Sequence, residues 1–193
     1  QARRTPDKVA LVYEGQQDTY ADLEGLVNRF ANRLITLGVE PGDRVAILAH
    51  NSRSFVIARF GIIHAGALFT PINFMLNAAE VGFILGHAQP KVVIVEDALC
   101  AIADEAIALT EHPPLAKAYI DHTGTPVPDD WSNLADWLDH DDDSRPGTQR
   151  GEDDPVQLMY TSGTTSQPKC VLLSSRSLFA QYVSCTSDGH MSR

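Results

Sequence analysis

A run of hydroxyl-bearing residues, YTSGTTSQPKCVLLSS at 160–175, contains the side chains of this sequence best suited to binding an anion. The hydroxyls that can donate a hydrogen bond to an anionic oxygen belong to Thr161, Ser162, Thr164 and Thr165. Backbone N–H groups around Gly163 can approach such an oxygen closely, and Lys169 adds a positive charge. Because hydrogen bonds to charged groups contribute about 1.5–3 kcal/mol each, several of them together could hold a polyphosphate.

Two other interpretations of this run have to be considered. A Walker-type loop is excluded by spacing, since counting from Gly163 puts Pro168 at the second glycine and Cys170 at the magnesium-binding Ser or Thr. A tight Ser/Thr/Gly turn with Lys169 in solvent is the simpler alternative, and composition alone leaves it open.

Composition and charge narrow the classes of partner. The 193 residues are 44% hydrophobic and 21% charged, which is typical of a globular protein. The formal charge is −10, and ten acidic residues with two arginines between Asp129 and Asp154 supply a net eight of these negative charges. No basic stripe is available to neutralise phosphates, so we expect no nucleic-acid partner.

Cysteine and histidine usage favours a reducing, cytoplasmic location and no metal site. The three cysteines, Cys100, Cys170 and Cys185, form no CxxC pair, and we expect Cys170 to be a small buried residue at the start of a strand. The seven histidines are scattered without the spacing of metal ligands.

The hydrophobic stretches of the sequence bear on membrane insertion and secretion. The most apolar window, VIARFGIIHAGALF, is short and interrupted by Arg59 and His64, so we expect no membrane span. No signal peptide is visible, and the opening on Gln1 suggests that the chain is a piece of something longer.

Strand and helix patterns alternate along the chain. Thr19 and Asp22 form a capping box, and apolar residues recur at helical spacing until Gly38. RVAIL at 44–48 then has the unbroken apolar pattern of a strand that is covered on both faces. The further predicted elements are a helix at 53–66, a strand at 67–70 stopped by Pro71, a helix beginning at Asn77, a strand at 91–95, a helix from Asp97 to about Leu109 and a strand at 116–120.

This alternation predicts an α/β fold with a doubly wound, largely parallel sheet and flanking helices. Residues 122–155 break the rhythm and are interpreted as a solvated acidic connecting segment with a short helix near Trp131 to Leu138. Strands at 156–161 and 170–173 follow, and Ser174 or Ser175 can cap a last helix, so 156–183 forms one unit around the hydroxyl-rich loop. Ligands of open α/β sheets bind at such strand ends.

The hydroxyl-rich run and two stretches nearer the N-terminus resemble sequences of the adenylate-forming (AMP-dependent synthetase/ligase) enzymes. This superfamily includes acyl-CoA synthetases, non-ribosomal peptide adenylation domains and luciferases. YTSGTTSQPKCVLLS resembles the phosphate-binding signature of the superfamily. The stretches 19–48 and 64–85 resemble its opening helix with the first sheet strand and the segment that follows. The resemblance covers about Thr5 to Val183 and implies the N-terminal subdomain of the acyl-CoA synthetase/luciferase-like fold.

The resemblance implies ATP-dependent activation of a carboxylic acid through an acyl-AMP, followed by thioester formation with coenzyme A and assisted by Mg²⁺. The residues it implies in binding the β- and γ-phosphates are Thr161, Ser162, Gly163, Thr164, Thr165 and Lys169, with Ser166 in the same loop. It implies no catalytic or metal-binding residue in this chain, because the family's catalytic groups come after this point. The chain is therefore expected to be a partial N-terminal adenylation domain without the C-terminal domain, and inactive alone.

Three positions depart from the family pattern. Ser166 and Cys170 stand where the family has glycine, and Ser175 stands where it commonly has histidine. If residue 166 must adopt a left-handed conformation, a non-glycine residue costs roughly 1–2 kcal/mol, which is small beside a total stability of about 5–15 kcal/mol. We expect the fold to tolerate these changes, whereas loop closure is more sensitive to them.

Two classes of function remain open at this stage. The first is an acid–CoA ligase acting on a fatty or aryl acid, which the doublet Thr164-Thr165 favours over a peptide-synthetase domain. An adenylation domain that loads a carrier protein is its close alternative, and a homodimer is compatible with either. The second class is a non-catalytic remnant that serves as an interaction module, which the departures at Ser166, Cys170 and Ser175 favour.

Overall fold

A mixed seven-stranded sheet organises the computed structural model, which describes residues 1–161 and 168–188. The strands are β1 (Val9–Tyr13), β2 (Gln16–Thr19), β3 (Arg44–Leu48), β4 (Leu68–Ile72), β5 (Val92–Glu96), β6 (Ala116–Ile120), β7 (Ser132–Asn133), β8 (Pro155–Thr161) and β9 (Lys169–Ser174). The helices are α1 (Tyr20–Thr36), α2 (Arg53–His64), α3 (Ala78–Ala88), α4 (Cys100–Ala108), α5 (Leu134–Leu138) and α6 (Ser175–Asp188).

The strand order is β7-β6-β5-β3-β4-β8-β9, and all neighbouring pairs except β8 with β9 are parallel. The predicted largely parallel sheet is therefore confirmed. The hairpin of β1 and β2 lies outside this sheet and was not predicted, because its second strand, QQDT, is polar and short. Its turn is made by Glu14 and Gly15, both with positive φ.

The central strands are buried on both faces, which explains their unbroken apolar sequences. In β3, Val45 and Ile47 belong to one hydrophobic cluster, whereas Ala46 and Leu48 belong to another. Successive side chains of a strand point to opposite faces of the sheet. Helices α1 and α2 supply residues to the first cluster, and α3 and α4 supply residues to the second. The sheet is therefore doubly wound, as predicted.

Side-chain caps set the beginnings of the helices that cover the sheet. Thr19 accepts a hydrogen bond from the backbone N–H of Asp22 and completes the predicted capping box of α1. Asn77 and Glu80 form the same arrangement at α3. Gly38 follows α1 with φ of +85°, a conformation that glycine adopts without steric cost. These local signals place both helices as predicted.

Several boundaries differ by one or more residues from the sequence-based prediction, and those at Pro71 and Asp97 are the most informative. Strand β4 contains Pro71 instead of ending before it, and Pro71 is the register partner of Ile47. A proline is tolerated in a strand where the ladder does not require its N–H group. The predicted helix from Asp97 begins as a short 3₁₀ turn over Asp97–Leu99, and α4 starts at Cys100.

Part of the acidic segment 122–155 packs into the core. Trp131, Leu134 and Trp137 are buried, and the ring of Trp137 stacks on Phe30 of α1 at 6.1 Å between centroids. The predicted short helix is α5, preceded by the two-residue strand β7 at the edge of the sheet. Within the described part of the chain, no helix combines the length and hydrophobicity that a membrane span requires.

Replacing Gly61 by alanine is expected to lower the free energy of unfolding by about 1–3 kcal/mol through overpacking. The added methyl carbon would lie 2.5 Å from Cδ1 of Phe30 and 3.0 Å from the carbonyl oxygen of Val27, at the contact of α1 with α2. Urea unfolding followed by circular dichroism measures this change.

Gly86→Ala in α3 is the matched control. No heavy atom lies within 4 Å of the Cβ position at Gly86. Alanine is a better helix former than glycine, so this change should stabilise the chain by about 0.5–1 kcal/mol. An equal effect of both substitutions would contradict the close α1–α2 packing.

Candidate functional site

The hydroxyl-rich loop joins β8 to β9 at the end of a strand that runs with the sheet. Strand β8 is parallel to β4, with Phe69 and Gln157 as register partners. Its last residue, Thr161, therefore lies at the same edge of the sheet as the carboxyl ends of β3, β4 and β5. Ligands of open α/β sheets bind beyond these strand ends.

Two of the predicted site residues lie at the mouth of this loop. Thr161 ends β8, Lys169 begins β9, and the two are register partners in the antiparallel pair. Both residues are exposed. The structure thus places a hydroxyl-bearing residue and a lysine on adjacent strands at the two ends of the segment 162–168. The other predicted site residues lie outside the described residues, and they are Ser162, Gly163, Thr164, Thr165 and Ser166.

Cys170 is exposed, which contradicts the expectation of a buried residue. It is the register partner of Tyr160, and β9 lies at the end of the strand order, where a single neighbouring strand covers it. An apolar pattern alone does not distinguish an edge strand from a central one.

Tyr160 connects the loop to the body of the protein. Its hydroxyl oxygen lies 2.7 Å from Nδ1 of His87 in α3, and the two rings are nearly perpendicular with centroids 5.7 Å apart. Burial, followed by the neighbouring Cys170, raises the pKa of Tyr160 to about 12. The phenol therefore keeps its proton at neutral pH. Sequence reasoning had treated His87 as one of several scattered histidines and did not identify this contact.

A buried carboxylate, Glu96, lies at the carboxyl end of the central strand β5. Its Oε2 accepts a hydrogen bond from the backbone N–H of His50 at 2.9 Å and lies 2.9 Å from Nδ1 of the same residue. The His50 ring contacts the ring of Phe74, with centroids 3.7 Å apart. The sequence signal that could have indicated this cluster is Glu96, an acidic residue directly after the apolar run VVIV.

Asp97, the next residue, is enclosed by hydrogen-bond donors. The backbone N–H groups of Ala98, Thr123 and Thr125 and the hydroxyl of Thr123 donate to its carboxylate at 2.9–3.2 Å. Burial opposes ionisation of Asp97, but the donors outweigh it and hold its pKa below the ordinary value. This cage ties the start of the acidic segment to the sheet.

Metal ligation has no visible basis in the part of the chain that the structure describes. No group of three or more His, Cys, Asp and Glu side chains is arranged there to hold a metal ion. Glu96 and Asp97 are each engaged by neighbouring donors, so their carboxylates serve local structure. Of the predicted phosphate-binding residues, the described ones are Thr161 and Lys169.

Comparison with known proteins identifies relatives over almost the whole chain. A family model described as AMP-binding enzyme matches residues 1–192. The long-chain-fatty-acid–CoA ligase FadD13 of Mycobacterium tuberculosis (strain ATCC 25618 / H37Rv) is 40% identical over 157 residues, which are 80% of this chain and 29% of the relative. The fatty acid–[acyl-carrier-protein] ligase ScoC of Streptomyces coeruleorubidus is 33% identical over 190 residues, which are 97% of this chain and 34% of the relative.

The fold is also shared with solved structures. A fatty acyl CoA synthetase from Mycobacterium tuberculosis superposes with a TM-score of 0.78 and 32% identity, over 95% of this chain and 35% of that one. The chain therefore spans about a third of the length of its relatives.

Replacing Asp97 by asparagine is expected to lower the free energy of unfolding at pH 7 by about 1.5–3 kcal/mol, the usual contribution of hydrogen bonds to a charged group. Because the pKa of Asp97 is lower in the folded chain than in the unfolded one, its contribution is complete above about pH 4 and disappears as the pH falls through the folded pKa. Urea unfolding of both proteins between pH 7 and pH 3 measures this convergence.

Asp121→Asn, at an exposed carboxylate after β6, is the control for loss of one negative charge. It should leave the stability within about 0.5 kcal/mol of the wild type. A difference between wild type and Asp97→Asn that stays constant with pH would contradict the proposed role of the ionised carboxylate.

Proposed function

Because this chain belongs to the AMP-binding enzyme family, we propose that the protein activates a carboxylic acid with ATP and transfers the acyl group to coenzyme A. The observation that carries this proposal is the pairing of Thr161 with Lys169 at the mouth of a hydroxyl-rich loop that follows a sheet strand. A plain turn would explain the loop's composition, but it would not explain the family match around it.

In the proposed reaction, a carboxylate oxygen attacks the α-phosphorus of ATP, and the bond to pyrophosphate breaks. The thiol of coenzyme A then attacks the acyl carbon and releases its proton to solvent, the bond from that carbon to the bridging oxygen breaks, and AMP leaves with this oxygen. Mg²⁺ would enter with ATP and neutralise part of the phosphate charge, and we assign it no ligand in this chain. The chain's own contribution is to bind and orient the β- and γ-phosphates.

The phosphate-binding role is assigned to the loop and its two arms. The proposed residues are Thr161, Ser162, Gly163, Thr164, Thr165, Ser166 and Lys169. Lys169 supplies the positive charge, the hydroxyls donate hydrogen bonds, and Gly163 allows the backbone to approach closely. None of these groups exchanges a proton with the substrate in the proposed reaction. We therefore expect their substitution to weaken the binding and use of ATP.

We further propose that the chain is a partial N-terminal adenylation domain, with 156–183 as its phosphate-loop unit, and that it is inactive alone. The apolar surface of β9 and α6 supports this, because Leu172 is 56% exposed and Phe179 70% exposed. Val171, Tyr182 and Val183 are also exposed along these two elements. Contiguous exposed apolar residues mark interaction surfaces, and we propose that the rest of the protein covers this one.

A fatty acid is the favoured substrate class, since FadD13 and ScoC are both named for fatty acids. The acceptor has two candidates, because ScoC is named as a ligase for an acyl-carrier protein. The free cysteines of the described chain are compatible with the proposed cytoplasmic location. Offering coenzyme A and an acyl-carrier protein separately to the whole protein, with ATP and a fatty acid, distinguishes the two acceptors by thioester formation.

Replacing Lys169 by glutamine in the whole protein is expected to lower kcat/KM for ATP by about 10- to 150-fold, the equivalent of one charged hydrogen bond. The effect follows from loss of the ammonium group beside Thr161. Acid-dependent exchange of labelled pyrophosphate into ATP measures it, and thermal unfolding should be unchanged.

Lys8→Gln makes the same chemical change at an exposed lysine before β1 and serves as the control. If both substitutions reduced exchange equally, or if Lys169→Gln acted by unfolding the protein, the phosphate role of Lys169 would be wrong. Exchange by the isolated 193-residue chain would contradict its proposed inactivity.

A further inference from the structure

We propose that His87 is a positioning residue for Thr161 and Lys169, the described ends of the hydroxyl-rich segment, and that it acts through Tyr160. This inference rests on the proposed function for its catalytic consequence, but the contact itself can be tested separately. Among the described residues, His87 contacts Tyr160 and Phe83, so the effect that we propose passes through the tyrosine beside Thr161.

The first argument is that the register pairing of β8 with the central sheet lies near the beginning of the strand. Strand β8 has one register pair with β4 in the described structure, Phe69 with Gln157, near its beginning. From Leu158 to Thr161 its register partners belong to β9, which is an edge strand with exposed residues. Side-chain contacts at the end of β8 therefore add to its ties with the central sheet.

The second argument is that Tyr160 supplies such a tie, immediately before Thr161. The 2.7 Å contact with His87 joins the strand to the last turn of α3, and His87 is itself stacked on Phe83 of the same helix with ring centroids 6.4 Å apart. The Tyr160 ring also packs against the cluster formed by Leu68, Ala88 and Leu158. The hydroxyl thus links the end of β8 to α3 through a directional contact, whereas the ring packs against apolar side chains.

The third argument is that the contact involves both arms of the loop. Tyr160 is the register partner of Cys170, which adjoins Lys169. A shift of Tyr160 would therefore move Thr161 along β8 and Lys169 across the strand pair together. Both residues would then be displaced relative to a bound phosphate. Small displacements of this kind weaken binding of a transition state.

The test uses Tyr160→Phe, which keeps the ring and removes the hydroxyl, and His87→Leu, which removes the partner nitrogen. His87→Asn is the conservative variant, because its side-chain amide can replace Nδ1 as a hydrogen-bond partner. Tyr119→Phe is the matched control, because it removes a hydroxyl elsewhere in the sheet. Tyr119 lies in β6, three strands away from β4, and its hydroxyl accepts a hydrogen bond from Asn133 at 3.2 Å. All variants are made in the whole protein.

The first measurement is amide hydrogen exchange of peptides that cover 158–161 and 169–172. We expect faster exchange there in Tyr160→Phe and His87→Leu, and wild-type exchange in His87→Asn and Tyr119→Phe. Wild-type exchange in Tyr160→Phe would overturn the proposal. This measurement needs no enzymatic activity. An inactive wild-type protein would refute the proposed function, whereas amide hydrogen exchange would still decide whether His87 positions the end of β8.

The second measurement is the KM for ATP and kcat in pyrophosphate exchange. Tyr160→Phe and His87→Leu should each lower kcat/KM for ATP by about 3- to 10-fold, as expected for one neutral hydrogen bond. The double variant should be no worse than Tyr160→Phe, because the phenylalanine already lacks the hydroxyl that contacts His87. Additive losses, or an equal loss in Tyr119→Phe, would show that the effect is general destabilisation and would overturn the proposal.

Discussion

The double-sided burial of the central parallel strands is the constraint on which the rest of the structure depends. Strands β3 and β5 place alternate residues in two separate hydrophobic clusters, so helices are needed on both faces of the sheet. Because their crossover connections return each strand in the same direction, the carboxyl ends of β3, β4, β5 and β6 meet at one edge. That edge is where acidic and aromatic groups such as Glu96, Asp97 and Phe74 collect.

The change from parallel to antiparallel pairing at β8 and β9 sets the geometry of the candidate site. A tight connection can join antiparallel strands, whereas a parallel pair needs a long crossover. The hydroxyl-rich loop can therefore be short and still begin and end on paired strands, with Thr161 opposite Lys169. The same arrangement leaves β9 as an edge strand, which explains why Cys170 and Leu172 are exposed despite an apolar sequence.

Local side-chain contacts then adapt this general sheet to a particular site. The donors around Asp97 fix the chain after β5 and the start of the acidic segment. The contact of His87 with Tyr160 ties the end of β8 to α3, although the two residues are 73 positions apart. Neither contact follows from hydrophobic patterning, because both join polar groups whose partners come from a different element.

The sequence by itself determined the main sheet strands, the capped starts of α1 and α3 and the position of the hydroxyl-rich loop after a strand, because these depend on local periodicity and capping chemistry. It also identified Thr161 and Lys169 as neighbours of that loop. Tertiary structure alone decided that β9 is an edge strand, that Trp131 and Trp137 are buried and that His87 meets Tyr160. These features depend on contacts between residues distant in the chain, which neither spacing nor residue type records.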